Sequence, residues 1–168
     1  MTGVTVVVGN PRPQSRTLAV ANRLGARIGQ AVGASGEPAV VDLAEHAPRI
    51  FERDDPTLDE ITKMVAGSRV CVFASPTYKA TYSGLLKSFL DRYGDNGLAG
   101  VVAVPMMMGA GPGHALAPEV HLRPLLVELG ALVPSRGLYV MESQLDDVDA
   151  VIGNWLETAA GPLGSLIR

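Results

Sequence analysis

Residues 9–17, Gly-Asn-Pro-Arg-Pro-Gln-Ser-Arg-Thr, carry the side chains of this chain that are best suited to binding an anion. They combine small hydrogen-bond donors with two guanidinium groups just before a predicted helix, whose first backbone N–H groups attract negative charge. The segment lacks the Gly-x-Gly-x-x-Gly of dinucleotide sites and the Gly-Lys-Ser/Thr of P-loops. It therefore predicts a site for a single phosphate, the alternative being a polar turn before an ordinary capped helix. The candidate ligands are Asn10, Arg12, Ser15, Arg16 and Thr17.

Two further segments could contact a flat ring. Residues 75–82, Ser-Pro-Thr-Tyr-Lys-Ala-Thr-Tyr, offer apolar and aromatic walls with a few polar groups, although the tyrosines could equally be ordinary half-buried residues. Residues 106–114, Met-Met-Met-Gly-Ala-Gly-Pro-Gly-His, contain glycines that permit close backbone approach. The three methionines predict either an adaptable sulfur surface against the ring or buried residues at a strand end. The candidate residues of the two segments are Pro76, Thr77, Tyr78, Lys79, Gly109, Ala110 and Gly111.

Five apolar, β-branched runs alternate with stretches of helical periodicity. Strands are predicted at residues 4–8, 38–42, 69–74, 97–105 and 132–140, and helices at 17–32, 57–67, 82–93, 114–129 and 148–160. This alternation is typical of an α/β domain with a parallel sheet, for which the order 2-1-3-4-5 is the economical one at this length. We expect one domain over residues 1–168, with a long surface loop at 43–56 and Thr17 as the N-cap of the first helix.

The predicted sheet would bring the three segments together. They follow strands 1, 3 and 4, which are neighbours in the order 2-1-3-4-5. Because ligands of such sheets bind outside the carboxyl ends of the strands, we expect one shared cleft.

The segment SPTYKATYSGLLKSFLD, residues 75–91, resembles the corresponding loop and helix of NAD(P)H-dependent FMN reductases, including those that supply reduced flavin to sulfonate monooxygenases. GNPRPQSRT resembles the phosphate loop of that family, and GHALAPEVHLRPLLVELGA its fourth helix. The resemblance extends in order over nearly the whole chain. It implies a flavodoxin-like three-layer sandwich, FMN as either a retained prosthetic group or a substrate, NADPH or NADH as hydride donor, and hydride transfer that needs no catalytic acid or base.

The resemblance also implies roles for individual residues. Asn10, Arg12, Ser15 and Thr17 would hold the FMN phosphate; the residues along the isoalloxazine and ribityl chain would be Pro76, Thr77, Tyr78 and Lys79. The three methionines depart from the Gly-Gly-Ser-like stretch usual in the family. Family members form dimers or tetramers, so a homodimer or homotetramer is expected, with residues 43–56 as one possible contact, and a flavin-dependent monooxygenase is a possible partner.

Composition excludes several other classes. The 168 residues are 47% hydrophobic, enough for one core, and 14 basic against 17 acidic residues leave a net charge of −3. That charge is too mild for a nucleic-acid or membrane-surface binder, and the apolar runs are shorter than the roughly 18 residues of a membrane span. The single cysteine, Cys71, lies in an apolar run and is predicted to be a core thiol. We expect a soluble cytoplasmic protein without a metal site.

Three alternatives stay open at this point. An FMN-dependent quinone or azo-dye reductase would share the fold and the flavin and differ in the electron acceptor. An electron-carrying flavodoxin is disfavoured by the mild charge and by the arginines of residues 9–17. A flavin-free binding domain on the same fold is the third, because a fold does not dictate a function.

Overall fold

The computed structural model describes residues 2–167, within which the strands form one five-stranded parallel sheet. The strands are β1 (Thr2–Val8), β2 (Ala39–Asp42), β3 (Ser68–Pro76), β4 (Val102–Gly109) and β5 (Leu138–Met141). Their spatial order, β2-β1-β3-β4-β5, confirms the predicted one. The three interior strands are nearly continuous apolar runs because both of their faces are covered by helices.

Helices cover the sheet on both faces, as expected for a flavodoxin-like sandwich. They are α1 (Arg16–Ala31), α2 (Pro56–Ala66), α3 (Gly84–Leu90), α4 (Arg123–Glu128) and α5 (Val148–Ile167). α1 and α5 pack on one face, and α2, α3 and α4 on the other. Because successive strand residues point to opposite faces, Val72 packs under α1 and α5 while Cys71 packs under the other three. Cys71 is fully buried, which raises the pKa of its thiol and confirms it as a core residue.

β4 is displaced along the chain from its predicted position at residues 97–105. Gly100 adopts φ +85°, a left-handed conformation that forms a turn, so the strand starts only at Val102. It then continues through the methionines as far as Gly109. Met106 and Met107 are fully buried strand residues of the core, whereas Met108, at the end of the run, lines the cleft described below.

The predicted helix at residues 114–129 is interrupted. A 3-10 turn (Pro112–His114) and a π-helical turn (Pro118–Leu122) precede α4. Pro124 has no N–H for the preceding turn, and the Arg123 N–H donates to the Pro118 carbonyl five residues back. Arg123 Nε also donates to Glu119 Oε2 over 2.7 Å, and its Nη1 donates to the Val133 carbonyl over 2.6 Å. These bonds tie the irregular segment to the chain that leads into β5.

Other boundaries differ by a few residues. The expected loop at 43–56 begins with a 3-10 helix (Leu43–Arg49), in which the Asp42 side chain caps the Ala44 N–H. β5 is confined to Leu138–Met141 because Leu132 makes only an isolated bridge. α3 is shorter than predicted because Ser83 caps it. α5 continues past Gly161 to Ile167, since Leu163 is fully buried. Among the residues described, no helix, α5 included, is long and apolar enough to cross a membrane.

Candidate functional site

Asn10 closes the loop that joins β1 to α1. Its Oδ1 accepts the Arg12 N–H over 3.0 Å, and its Nδ2 donates to Thr17 Oγ1 over 3.0 Å. Thr17 is buried inside the first turn of α1, so it is not the N-cap as predicted. The N-cap is Ser15, whose hydroxyl accepts the Leu18 N–H over 3.2 Å. The predicted ligands Asn10, Ser15 and Thr17 therefore lie together, in a loop whose shape they themselves maintain.

The two arginines of this loop differ in their surroundings. The Arg12 side chain is exposed, and within residues 2–167 its guanidinium makes no hydrogen bond or ion pair. Arg16, the first residue of α1, pairs through Nη2 with Glu142 Oε1 at 3.0 Å. Glu142 directly follows β5, at the same carboxyl edge of the sheet. In the described part of the chain, Arg12 of the predicted phosphate site is thus unpaired, whereas Arg16 has a carboxylate partner.

Two serines fasten the second segment to the first. Ser75 Oγ accepts the Ser83 N–H over 2.8 Å and donates to the Pro76 carbonyl over 2.8 Å. Ser83 Oγ donates to the Gly9 carbonyl and accepts the Leu86 N–H over 3.1 Å, so it also caps α3. Ser75 and Ser83 are both buried. Their role is to hold the chain after β3 against the chain after β1.

A tight turn follows at residues 78–81. The Tyr78 N–H donates to the Thr81 carbonyl over 2.9 Å, and the Thr81 N–H donates to the Tyr78 carbonyl over 3.2 Å. The two central residues, Lys79 and Ala80, have φ values of +50° and +71°, as the two-residue type I′ hairpin turn requires. Lys79 is exposed in this turn and is not among the residues that line the cleft described below, so its predicted contact with the flavin stays a prediction.

Thr77 joins the second segment to the third. Its N–H donates to the Met108 carbonyl over 2.7 Å. Its hydroxyl oxygen is buried and has no hydrogen-bond partner among residues 2–167. Because a buried polar atom without a partner costs free energy, such an atom in a cleft points to a bound group that completes it.

Tyr139 supports the third segment from β5. Its hydroxyl donates to the Gly111 carbonyl over 2.8 Å. The carbonyl of Gly111 thus faces the supporting strand, and Gly109 and Ala110 line the cleft while Gly111 lies next to them in sequence.

All three segments meet in one cleft of about 420 Å³ at the carboxyl edge of the sheet, within the range of small-molecule sites. Ten of the twelve predicted site residues line it: Asn10, Arg12, Ser15, Arg16, Thr17, Pro76, Thr77, Tyr78, Gly109 and Ala110. The lining residues that the sequence reasoning did not select are Pro13, Gln14, Met108 and Glu142. Pro13 and Gln14 lie within the first segment, and Met108 lies within the third, whose methionines are predicted either to face the ring or to be buried at the strand end. Glu142 could have been found only from the neighbouring positions of β4 and β5 in the sheet.

Comparison with known proteins identifies a family and several relatives. The sequence model of the family described as "NADPH-dependent FMN reductase" matches residues 2–146. The FMN reductase (NADPH) of Escherichia coli K12 is 31% identical over 147 residues, which are 86% of this chain and 75% of that protein. The NADH-dependent FMN reductase SfnF of Pseudomonas putida is 30% identical over 148 residues, 85% of this chain and 79% of that protein. A crystal structure of an oxidoreductase from Corynebacterium diphtheriae superimposes with a TM-score of 0.80 at 27% identity, over 99% of this chain and 97% of that one.

Proposed function

The chain belongs to the NADPH-dependent FMN reductase family, and from that premise we propose that its cleft binds FMN for reduction by NADPH or NADH. The observation that carries the proposal is the content of the cleft. Within residues 2–167, the guanidinium of Arg12 is unpaired and the buried Thr77 hydroxyl has no hydrogen-bond partner, and both line a space of about 420 Å³. A ligand with a phosphate and a polar-edged ring would satisfy both.

The segment at residues 9–17 would hold the phosphate. Arg12 can contribute a charge-assisted hydrogen bond, since its guanidinium is not engaged elsewhere in the described chain. The Ser15 hydroxyl accepts the Leu18 N–H, which leaves its hydrogen free to donate to an anion. Asn10 uses its amide to bond Arg12 and Thr17, so we assign it the positioning of the loop. The amino end of α1 adds a favourable dipole.

Residues after β3 and β4 would hold the ring. Pro76 and Met108 provide apolar surface, and Tyr78 provides an aromatic face that is 44% exposed and available for contact. The Thr77 hydroxyl can donate to or accept from a polar edge of the ring. Gly109 brings backbone, without a side chain, to the same edge of the cleft.

FMN supplies the hydride-accepting ring when bound. The chain therefore has to bind and orient the flavin and to leave one face of its ring open to the nicotinamide. The apolar contacts of Pro76 and Met108 exclude water from the covered face. Glu142 is the one carboxylate among the described residues that line the cleft, and it is paired with Arg16. We therefore assign no general acid or base to this chain, in keeping with a hydride transfer that requires neither.

The physiological setting follows from the same premise. Both donors stay candidates, since one relative named above is an NADPH enzyme and the other an NADH-dependent one. We propose that reduced FMN is released to a flavin-dependent monooxygenase, which the resemblance to sulfonate-system reductases supports. We further propose the cytoplasm as its compartment, because its single cysteine, Cys71, is a free buried thiol.

Self-association is also part of the proposal. Leu116, Val120 and Val127 are each more than half exposed, and they lie together on the segment that leads into and through α4. Large apolar side chains grouped on a surface are typical of contacts between subunits. We propose a homodimer or homotetramer that covers this surface, which light scattering at micromolar concentration would test.

The activity is tested by incubating the purified protein with NADPH or NADH and FMN as the sole electron acceptor. We expect loss of the reduced nicotinamide absorbance at a rate proportional to protein, and binding of FMN tighter than that of riboflavin. A quinone and an azo dye serve as alternative acceptors. Faster turnover with either of these than with FMN, or no turnover with FMN at all, would contradict the proposal.

A further inference from the structure

The ion pair between Arg16 and Glu142 lies inside the cleft assigned to the flavin. Arg16 Nη2 and Glu142 Oε1 are 3.0 Å apart, and both residues line the cleft. A carboxylate at this place is unexpected, because the ligand of the same region is a phosphate of the same sign. Arg12, the other cation of the cleft, has no such partner among residues 2–167.

The pair has little to do with folding. Its side chains are 60% and 42% exposed, and ion pairs in such surroundings contribute little to stability. A second ion pair of α1 has the same N···O distance: Arg23 Nη1 lies 3.0 Å from Asp149 Oδ2 in α5, and the side chains of this pair are 56% and 65% exposed. That second pair lies outside the cleft. What distinguishes the Arg16–Glu142 pair from the second one is its position in the cleft.

We propose that Glu142 sets the affinity of the cleft for the flavin phosphate by acting as a resident competing anion. The carboxylate occupies Arg16 when the cleft is empty, and an arriving phosphate must share or take over that guanidinium. The fixed negative charge also repels the dianion over a short distance. This inference rests on the proposed binding of FMN, and it adds the residue that limits how tightly FMN binds.

The consequence is a flavin that exchanges. Arg12 and Arg16 together carry two positive charges, and Glu142 reduces their sum to one against a phosphate of charge near −2. FMN then binds more weakly and dissociates faster than it would in the same cleft without the carboxylate. Such a site suits an enzyme that releases reduced flavin to a second protein more than one that keeps FMN as a prosthetic group.

The decisive variant is Glu142→Gln, which preserves the shape of the side chain and removes its charge. We expect FMN to bind about three- to tenfold more tightly at low ionic strength and to dissociate correspondingly more slowly, with riboflavin affinity unchanged. The gain should shrink in about 1 M salt, where the Debye length is about 3 Å. Glu142→Asp keeps the charge and should stay close to the wild type. Fluorescence titration and stopped-flow dissociation measure both quantities.

Asp149→Asn is the matched control, since it removes the same charge and an ion pair to the same helix outside the cleft. An equal gain in Asp149→Asn would show a general charge effect and overturn the inference. Weaker FMN binding by Glu142→Gln would also overturn it, because Glu142 would then hold Arg16 ready for the phosphate. Unchanged FMN affinity in Glu142→Gln would likewise overturn the inference, because the charge of Glu142 would then have no effect on phosphate binding. Failure of the proposed function looks different: the wild-type protein itself would bind FMN no more tightly than riboflavin.

Discussion

The hydroxyl oxygen of Tyr139 occupies the space that a Cβ on Gly109 would need, and the ring carbon that carries the hydroxyl would lie 3.1 Å from that Cβ. The same hydroxyl donates to the Gly111 carbonyl over 2.8 Å. Gly109 is therefore a glycine because a neighbouring side chain fills its surroundings. Its backbone conformation makes no such demand, since Gly109 is not among the glycines with positive φ.

We expect Gly109→Ala to displace Tyr139 and with it the backbone that lines the cleft. Overpacking of this kind typically costs about 1–3 kcal/mol of stability, and flavin affinity should fall along with it. Urea unfolding and flavin titration measure the two effects. Adding Tyr139→Phe removes the clashing oxygen and should recover part of the loss, only part because the ring carbon remains close. If the double variant loses as much stability as Gly109→Ala and Tyr139→Phe lose separately, added together, the steric explanation is wrong.

Ala80→Gly is expected to stabilise the protein. Ala80 has φ +71° in the turn between Tyr78 and Thr81. A left-handed conformation costs an L-residue roughly 1–2 kcal/mol. Replacing alanine by glycine removes that cost, but it lowers stability by about 0.4–1 kcal/mol because glycine gives the unfolded chain more conformational freedom to lose. The difference predicts a gain of about 0.5–1 kcal/mol in the free energy of unfolding. Ala115→Gly is the control, because Ala115 is exposed with φ −59° and should lose stability. Equal effects at both positions would mean that residue 80 is not strained.

Tyr78→Ala tests the aromatic wall of the cleft. The backbone of Tyr78 makes both hydrogen bonds of its turn, so removal of the ring leaves those bonds in place. Loss of one aromatic contact should cost about 1 kcal/mol, or roughly fivefold in the affinity for both FMN and riboflavin. Tyr78→Phe keeps the ring and should bind like the wild type. If Tyr78→Ala binds both flavins normally while its circular dichroism is unchanged, the flavin ring does not contact Tyr78.

The overall sheet and the position of the cleft could be predicted because both depend on local patterns. Alternating apolar runs and helical periodicities imply the strand order, and the three polar segments then meet at one edge. The break before α4 could not be predicted in this way. It depends on Arg123 reaching Glu119 and the Val133 carbonyl, contacts that exist only once β5 is in place.

The site shows the same division. Ser15 and Thr17 are both good N-cap residues, and only the position of Asn10, which engages the Thr17 hydroxyl, leaves the cap to Ser15. Glu142 lies 126 residues from Arg16 along the chain and has no motif around it. Its contact with the cleft follows from the pairing of β4 with β5, which brings Met141 level with Gly109.

The surroundings of the buried Asp55 carboxylate indicate how the stability of the protein depends on pH. Its side chain is 1% exposed, and its Oδ1 accepts the Leu58 N–H over 2.9 Å while Oδ2 pairs with Arg49 at 2.8 Å. The Leu58 hydrogen bond lowers the pKa of Asp55 below its ordinary value of 3.8, against the opposing effect of burial, and Arg49 lowers it further. A depressed pKa in the folded state stabilises the protein above the unfolded-state pKa, and this stabilisation is lost as pH falls through the folded-state pKa.

Asp55→Asn can still cap α2 but cannot carry the charge. We expect it to be less stable than the wild type at pH 7 and the gap between the two to narrow below about pH 4, where the wild type also becomes protonated. Urea unfolding between pH 7 and pH 3 measures the gap. Asp149→Asn, at an exposed ion pair, should show little difference at any pH. A gap that stays constant with pH would mean that the Asp55 charge contributes nothing.

Arg12→Ala should separate phosphate binding from folding. The guanidinium of Arg12 makes no hydrogen bond or ion pair within residues 2–167, so its removal breaks none there, and the backbone N–H bond from residue 12 to Asn10 is retained. A hydrogen bond to a charged group contributes roughly 1.5–3 kcal/mol, which corresponds to about a ten- to hundredfold loss of FMN affinity. Riboflavin, which has the flavin ring without the phosphate, should bind with unchanged affinity.

Arg23→Ala is the control, because it removes the same charge outside the cleft. It should leave the affinity for both flavins unaffected beyond a small, salt-sensitive change. Fluorescence quenching titrations of both flavins against the three proteins make the comparison. A parallel loss of FMN and riboflavin affinity in Arg12→Ala would show that Arg12 shapes the loop, and the phosphate would then have to lie elsewhere in the cleft.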